Sequence, residues 1–394
     1  MIEPKLRFKA DDGSQFPDWE KKKLEDVVEF LDGQRKPLEA GQRVSGKYPY
    51  YGASGIIDYV EDYIFDEELI LLSEDGANIL DRNYRVCFLA KGKYWVNNHA
   101  HVLRAMDGNV NGFICEQLET FDYRKYNSGG AQPKLNQATC RAIIMNMPSL
   151  PEQQKIAEFL STIDTVIEKQ RETVSAWEER KKGVMQKLFS QEVRFKADDG
   201  SEFPDWEEKK IDDVATCFAG ATPSTKIPEY WEEGTIRWMS SGEVNNGQIH
   251  DTEKRISELG FDKCSTKMVK PNSVVMALAG QGKTRGMVAI TRVPLCTNQS
   301  LCAIETNDDI CDDYLYQYLQ TQYNNLRLIS SGDGTRGGLN LKLVGGYVVV
   351  VPCLAEQQKI ADCLSSLDEV IEKQKATLAA WEELKKGLLQ QMFV

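Results

Sequence analysis

Histidine is scarce, with three in 394 residues, and the ten cysteines include no Cys-x-x-Cys pair. A zinc framework needs clustered His and Cys ligands, so the sequence argues against that class. No run of 18 apolar residues occurs, which excludes an ordinary membrane-spanning helix. The opening residues 1–13 hold no apolar stretch of the kind a secretory signal needs, so the expected setting is the cytoplasm, with reduced thiols. Basic residues are outnumbered, 48 Lys+Arg against 60 Asp+Glu, for a formal charge of −12. That balance does not suit a nonspecific nucleic-acid coat, although a local basic loop can still meet DNA.

What is present is a long internal repeat, the feature to seek before any other. The segment Arg7–Glu20 returns almost unchanged as Arg194–Glu207, 187 residues later. A second segment, Glu152-Gln-Gln-Lys-Ile-Ala157, returns as Glu356-Gln-Gln-Lys-Ile-Ala361, 204 residues later. The second copy is therefore 17 residues longer between its repeated ends. Between them, residues 25–150 and 212–354 share only weak echoes: Asn97-Asn98-His99 beside Thr297-Asn298-Gln299, and Ser128-Gly129-Gly130 beside Ser331-Gly332-Asp333. Each half is a near-constant frame around a divergent insert. Two copies of one scaffold that read two different things would have this form.

From Ile156 the apolar positions step by four and three, through Ile156, Leu160, Ile163, Ile167, Gln170, Val174 and Trp177, then Lys181, Val184 and Leu188. The second copy gives Ile360, Leu364, Leu367, Ile371, Gln374, Leu378 and Trp381, then Lys385, Leu388 and Met392. This is a heptad seam. A helix of about 38 residues would be roughly 57 Å long. A single apolar stripe needs a partner, and the other copy is the obvious one. An antiparallel pair would create a pseudo-twofold axis, carry the inserts to opposite ends of a rod, and place Gln170 and Gln374 where a polar seam residue can fix register. The inserts read as mixed α/β domains, with buried strands at Leu69–Ser73 and Ser273–Ala277 and a short helix over Asp312–Tyr323. The expected class is α+β. Its parts are a lead-in and first recognition domain (1–150), a central coiled-coil helix (151–192), a repeated lead-in and second recognition domain (193–354), and a C-terminal coiled-coil helix (355–394).

The arrangement resembles the DNA-specificity (S) subunit of type I restriction-modification systems. The resemblance covers the whole chain. It rests on the paired helix openings at 151–157 and 355–361, on Tyr50-Tyr-Gly-Ala-Ser-Gly55, and on the Trp-Glu-x-Lys-Lys lead-ins at Trp19 and Trp206. One departure is Ala355, where the first opening has Pro151. The resemblance implies two target-recognition domains, each reading half of a bipartite double-stranded DNA target, and two antiparallel helices acting as a ruler for the spacer. It implies two methyltransferase (M) subunits as partners and leaves room for two restriction (R) subunits. S-adenosylmethionine would then sit on the M subunits, and ATP and Mg on any R subunit, with no cofactor on this chain. The helix length caps the spacing at about 17 base pairs.

Neither Asn-Pro-Pro-Tyr nor Asp-Pro-Pro-Tyr occurs, so the methylation signature is missing and the chain is expected to be noncatalytic. Phe218-Ala-Gly-Ala-Thr222 only faintly echoes a cofactor loop; Thr222-Pro-Ser224 better suits a turn at DNA. Ala277-Leu-Ala-Gly-Gln-Gly-Lys-Thr284 matches a relaxed phosphate-loop pattern after a strand, but a phosphate loop needs a helix next. Residues 285–292 read instead as a returning strand. Gln281, Lys283, Thr284 and Arg285 then lie on one hairpin, where amides and cations suit base edges and phosphates. A second Gly-rich loop, with Thr335, Arg336 and Lys342, has its counterpart in Ser128, Gly129, Gln132 and Lys134. Arg35, Lys36, Tyr50, Tyr51, Ser54, Asn98 and His99 complete the candidate DNA contacts of the first half, and Thr222, Ser224, Lys226, Ser240 and Ser241 those of the second. His99 and His101 alternate but lack further ligands for a metal. The carboxylate pairs at Asp212, Asp308 and Asp312 lie beside helix starts and suit capping. The alternatives are a nucleotide-binding protein using loop 277–284, and a coiled-coil assembly protein with no DNA role.

Overall fold

The computed structural model describes residues 4–280, 282–330 and 338–393. Gln281, Thr335 and Arg336, three of the expected contacts, lie outside the described residues. The chain divides into two compact units, residues 1–172 with 375–394, and residues 173–374. Two helices of 40 residues each, Leu150–Phe189 and Leu354–Phe393, cross from one unit into the other. Each unit thus holds one insert and a piece of both helices.

The first unit contains β1 (Glu20–Lys23), β2 (Val28–Phe30), β3 (Ser45–Gly52), β4 (Gly55–Val60), β5 (Phe65–Asp66), β6 (Leu69–Ser73), β7 (Cys87–Ala90), β8 (Lys93–Val96), β9 (Ala100–Ala105) and β10 (Ile144–Met147). One sheet has the order β2-β9-β6-β7 and another β4-β3-β8-β5, while β1 pairs with β10 alone. All five residues of β6 are buried. The strand period of two explains this: Ile70 and Leu72 pack with Phe113 and Ile114 of the helix Asn111–Glu119, whereas Leu69 and Leu71 pack with Phe65 and Tyr94 of the other sheet.

The second unit contains β11 (Glu207–Lys210), β12 (Ala215–Ala219), β13 (Ile236–Met239), β14 (Gln248–Ile249), β15 (Lys254–Ile256), β16 (Met268–Val269), β17 (Val274–Ala277), β18 (Val288–Thr291), β19 (Leu295–Thr297), β20 (Leu301–Thr306) and β21 (Val348–Val351). Its sheets are β12-β20-β17-β18-β14, β15-β13-β19-β16 and β11-β21. Strand for strand this is the plan of the first unit, with β14 added at one edge. The same alternation recurs in β17, where Val274 and Met276 face one core and Val275 and Ala277 the other. The divergent inserts are therefore two versions of one fold.

The repeated helix opening is explained residue by residue. Glu152 is fully buried and accepts two bonds from the Arg7 guanidinium, at 3.0 and 2.9 Å. Glu356 does the same with Arg194, at 3.1 and 2.7 Å. A buried carboxylate requires such a partner, and the planar guanidinium fork matches it. Gln153 Nε2 donates to the Pro148 carbonyl (2.9 Å) and its Oε1 accepts from Val110 N (3.1 Å). Gln357 repeats this with Pro352 (2.8 Å) and Cys311 N (2.7 Å). Lys155 and Lys359 pair with Asp11 and Asp198 of the two lead-ins. The Glu, the first Gln and the Lys of the motif thus tie a lead-in or an insert to the start of a helix, while the second Gln, Gln154 or Gln358, is exposed.

Within the first unit the two helices run antiparallel. Lys385 pairs with Asp164 (2.6 Å) and Arg171 with Glu382 (2.6 Å), so partner numbers fall as helix numbers rise. In the second unit Lys181 pairs with Asp368 at 2.7 Å. These are sequence-equivalent residues with their roles exchanged, the pattern of a self-complementary interface. Of the expected seam, Ile156, Leu160, Ile163, Ile167, Val174, Ile360, Leu364 and Ile371 are buried. Gln170, Trp177, Leu367, Gln374, Leu378 and Trp381 are half-buried. The deeply buried polar seam residues are Lys181 and Lys385, each 8% exposed. Met185 takes the buried place expected for Val184. A straight helix drifts against a 3.5-residue repeat, so a step of four replaces one of three.

Candidate nucleic-acid interface

In each unit, loops meet at the end of the central strand of the main sheet. The turn from β8 to β9 is closed by Asn97, whose Oδ1 accepts from His99 N at 2.8 Å. The turn from β19 to β20 is closed by Asn298, which accepts from Ser300 N at 3.0 Å. Beyond β6, Glu74 N donates to His99 O and Leu135 N to Glu74 O, at 2.8 and 2.7 Å. Beyond β17, Leu278 N donates to Ser300 O and Leu339 N to Leu278 O, both at 2.8 Å. Asn136 and Asn340 then cap the short helices Gln137–Arg141 and Leu341–Gly345. One backbone lattice thus presents two sets of side chains. Asn97 matches Asn298, so the sequence echo that set Asn97 beside Thr297 was one residue out.

In the first unit this lattice holds a network of charges that sequence reasoning missed. Glu74 pairs with Arg35 (2.7 Å) and with Lys134 (3.3 Å). Asp75 faces His99 Nδ1 with both oxygens, at 2.9 and 3.0 Å. Asp32 meets His101 Nδ1 at 2.7 Å, and His101 Nε2 meets the Leu135 carbonyl at 2.8 Å. Burial opposes the charge on His101, but hydrogen bonds to Asp32 and Cys140 outweigh it, and its pKa is pushed up to about 10. With acceptors at both ring nitrogens, the imidazolium is the form that fits. Asp32 is held below the usual carboxylate range; its burial is outweighed by the hydrogen bond and charge of His101. The signal available in sequence was the acidic pair Glu74-Asp75 directly after a buried strand.

Only some of the expected contacts of the first half are brought together. Arg35, Asn98, His99, Ser128, Gly129 and Lys134 converge on this network. Gly129 is required there, since a Cβ would collide with the Gln132 carbonyl. Lys36, Ser54, Asn98, Ser128, Gln132 and Lys134 are exposed. Two residues are corrected by burial. Tyr50 is 1% exposed and its hydroxyl accepts from Leu38 N at 2.9 Å, so it is a core residue. Arg35 also donates to the Ala100 carbonyl (2.7 Å), and its side chain, 13% exposed, holds the cluster together from within. Tyr51 packs on Phe88 and Tyr94, and burial raises its pKa.

In the second unit two tryptophans, edge to face at 5.1 Å, pin the loop after β12. Trp238 Nε1 donates to Ala221 O (3.0 Å) and Trp231 Nε1 to Ser224 O (3.2 Å). Thr222 donates to Gln299 Oε1 at 2.6 Å, joining this loop to the β19–β20 turn. Asn298 N bonds Met239 O, which brings Ser240 and Ser241 beside it in the chain. Thr222, Ser224, Lys226 and Lys342 are exposed, and Ser240 and Ser241 half-buried. The loop with Lys283, Thr284 and Arg285 is a β17–β18 hairpin, its strands antiparallel. The helix Tyr323–Ile329 braces it: Tyr323 Oη donates to Lys283 O (2.7 Å) and Arg327 to Gly282 O (2.8 Å). Lys283 itself is exposed. A strand, not a helix, follows the loop, so no helix N-terminus faces a phosphate here. Among the described residues no group of three His, Cys, Asp or Glu side chains is arranged to hold a metal, and no helix is long and apolar enough to cross a membrane.

A duplicated α+β scaffold that ends each copy in the same loop lattice with different side chains is a paired recognition scaffold. Its family is given by the match to the model for the Type I restriction modification DNA specificity domain, over residues 17–174 and again over 204–380. The chain belongs to that family. It is similar to the MjaIX type I restriction enzyme specificity subunit of Methanocaldococcus jannaschii, 32% identical over 211 residues, 52% of this chain and 48% of that one. The chain thus spans about half the length of that relative. The MjaVIII specificity subunit of the same organism is 24% identical over 97% of this chain and 94% of its own. The crystal structure of a type I S subunit from M. genitalium has the same fold, with a TM-score of 0.67 at 16% identity over 100% of this chain and 99% of that one.

Proposed function

We propose that this chain is the noncatalytic DNA-reading subunit of a type I restriction-modification enzyme. Each unit reads one half of a bipartite duplex target through its loop lattice. Side chains on the loops specify bases, while backbone amides and cations such as Lys134, Lys283 and Lys342 hold phosphates. The two long helices set the spacing, about 60 Å of helix at 1.5 Å per residue bounding it. Two methyltransferase subunits dock on the frame and carry S-adenosylmethionine, and two restriction subunits with ATP and Mg complete a nuclease. The methyltransferase must extrude its adenine, since it cannot reach a stacked base. With DNA as partner, the cytoplasm is the proposed place of action.

The observation that carries this reading is the identical backbone lattice holding unlike side chains, in a family whose members are DNA specificity domains. The test is an insert exchange. Replacing residues 25–150 with another insert, in the presence of methyltransferase subunits, should change one half of the methylated sequence and leave the other half and the spacer intact. Methylation by the chain alone, or an unchanged target after the exchange, would overturn the proposal.

A further inference from the structure

The β8–β9 and β19–β20 turns share a closing asparagine, but their tips differ: Asn98-His99 in the first unit and Gln299-Ser300 in the second. Such a turn holds the backbone constant while the side chains vary. At the first tip, His99 has a half-exposed side chain, at 50%, and a buried neighbour, Asn97, that fixes its main chain. Its Nδ1 faces both oxygens of Asp75, at 2.9 and 3.0 Å. A carboxylate only accepts, so Nδ1 carries the ring proton. In the neutral ring Nε2 is then a bare acceptor, and among the described residues it makes no hydrogen bond. The main chain of Asp75 is itself held by an isolated antiparallel β-bridge to that of Lys134.

We infer that His99 reads an amino-bearing base, adenine or cytosine, in the first half of the target, and that Asp75 is the positioning residue that makes Nε2 the acceptor. In the major groove the exocyclic amino groups of adenine and cytosine are donors, whereas guanine and thymine present acceptors. An acceptor on the protein pairs with the first two and is left facing a lone pair by the others. This rests on the DNA-reading function proposed above and assigns one base class to one residue. At the second tip Gln299 is already tied to Thr222, so the two halves are read by different chemistry.

The full chain, alone and mixed with type I methyltransferase subunits, is incubated with duplexes randomised in two segments, and the retained duplexes are sequenced. The wild type should select a bipartite motif with adenine or cytosine at one position that depends on His99. His99→Ala should lower selection at that position tenfold or more and leave the other half-motif unchanged, which serves as the folding control. Asp75→Asn should relax the same position, because an amide can flip and no longer fixes the ring proton. A purely structural role for either residue would weaken binding to all duplexes without altering base choice. A bipartite motif that survives both substitutions would overturn this inference alone. The absence of any bipartite motif from the wild type would overturn the DNA-reading function together with it.

Discussion

His101 illustrates why a histidine that looked unremarkable in sequence matters to the first unit. It is 1% exposed and bonded at both ring nitrogens. Its folded pKa lies near 10, above the ordinary 6.5, so its charge stabilises the fold fully below pH 6.5 and that contribution is lost as pH rises toward 10. Each pH unit in that window should remove about 1.4 kcal/mol. Urea midpoints of the first unit, measured from pH 6 to pH 9, should therefore fall with pH. His101→Gln should flatten that slope and cost roughly 3–5 kcal/mol at pH 6, the usual penalty for breaking a buried pair. Asp32 behaves in the opposite sense: its lowered pKa gives stability that is lost as pH drops through the acid range.

Among the elements, the long helices carry two equivalent ion pairs in unequal surroundings. Lys181 faces Asp368, which also accepts from Gln317 at 2.7 Å. Lys385 faces both Asp164 and Glu116, and Glu116 is also bound by Arg85 at 2.6 Å. Lys385→Met leaves Glu116 and Asp164 sharing Arg85, at 2.6 and 3.8 Å, whereas Lys181→Met leaves Asp368 with the neutral Gln317 amide and, among the described residues, no cation. Lys181→Met should therefore lower the unfolding midpoint more, and in the second unit, a difference readable by hydrogen exchange on each half. The lead-in arginines make a second comparison. Trp206 Nε1 also donates to Glu356 (3.0 Å), whereas among the described residues Trp19 Nε1 has no partner. Arg7→Ala should then destabilise its unit more than Arg194→Ala does the other. Arg7→Lys should not restore the loss, because an ammonium cannot bridge both carboxylate oxygens.

Over the whole molecule, a formal charge of −12 means that attraction to DNA must come from local cations. Lys283, exposed on a braced hairpin, is proposed as one of them. Lys283→Ala should reduce the slope of log affinity against log salt by about 1, measured by fluorescence anisotropy over a salt series. A loss of base discrimination of about 1–3 kcal/mol instead would make it a base reader.

The repeat and the two helices were legible in the sequence, because helical burial follows a local period that residues spaced three and four apart record directly. So was the family motif, whose polar residues recur unchanged. The common fold of the inserts was not legible, since their likeness lies in strand order and in backbone hydrogen bonds, which side-chain identity does not encode. Nor were the burial of Tyr50, the inward role of Arg35, the Glu74–Asp75 network or the one-residue slip at Asn298. The role of Arg35 and the Glu74–Asp75 network depend on partners far along the chain, as Arg7 depends on Glu152 across 145 residues. Only folding brings such groups together, and the cost of a buried charge then decides which of them must pair.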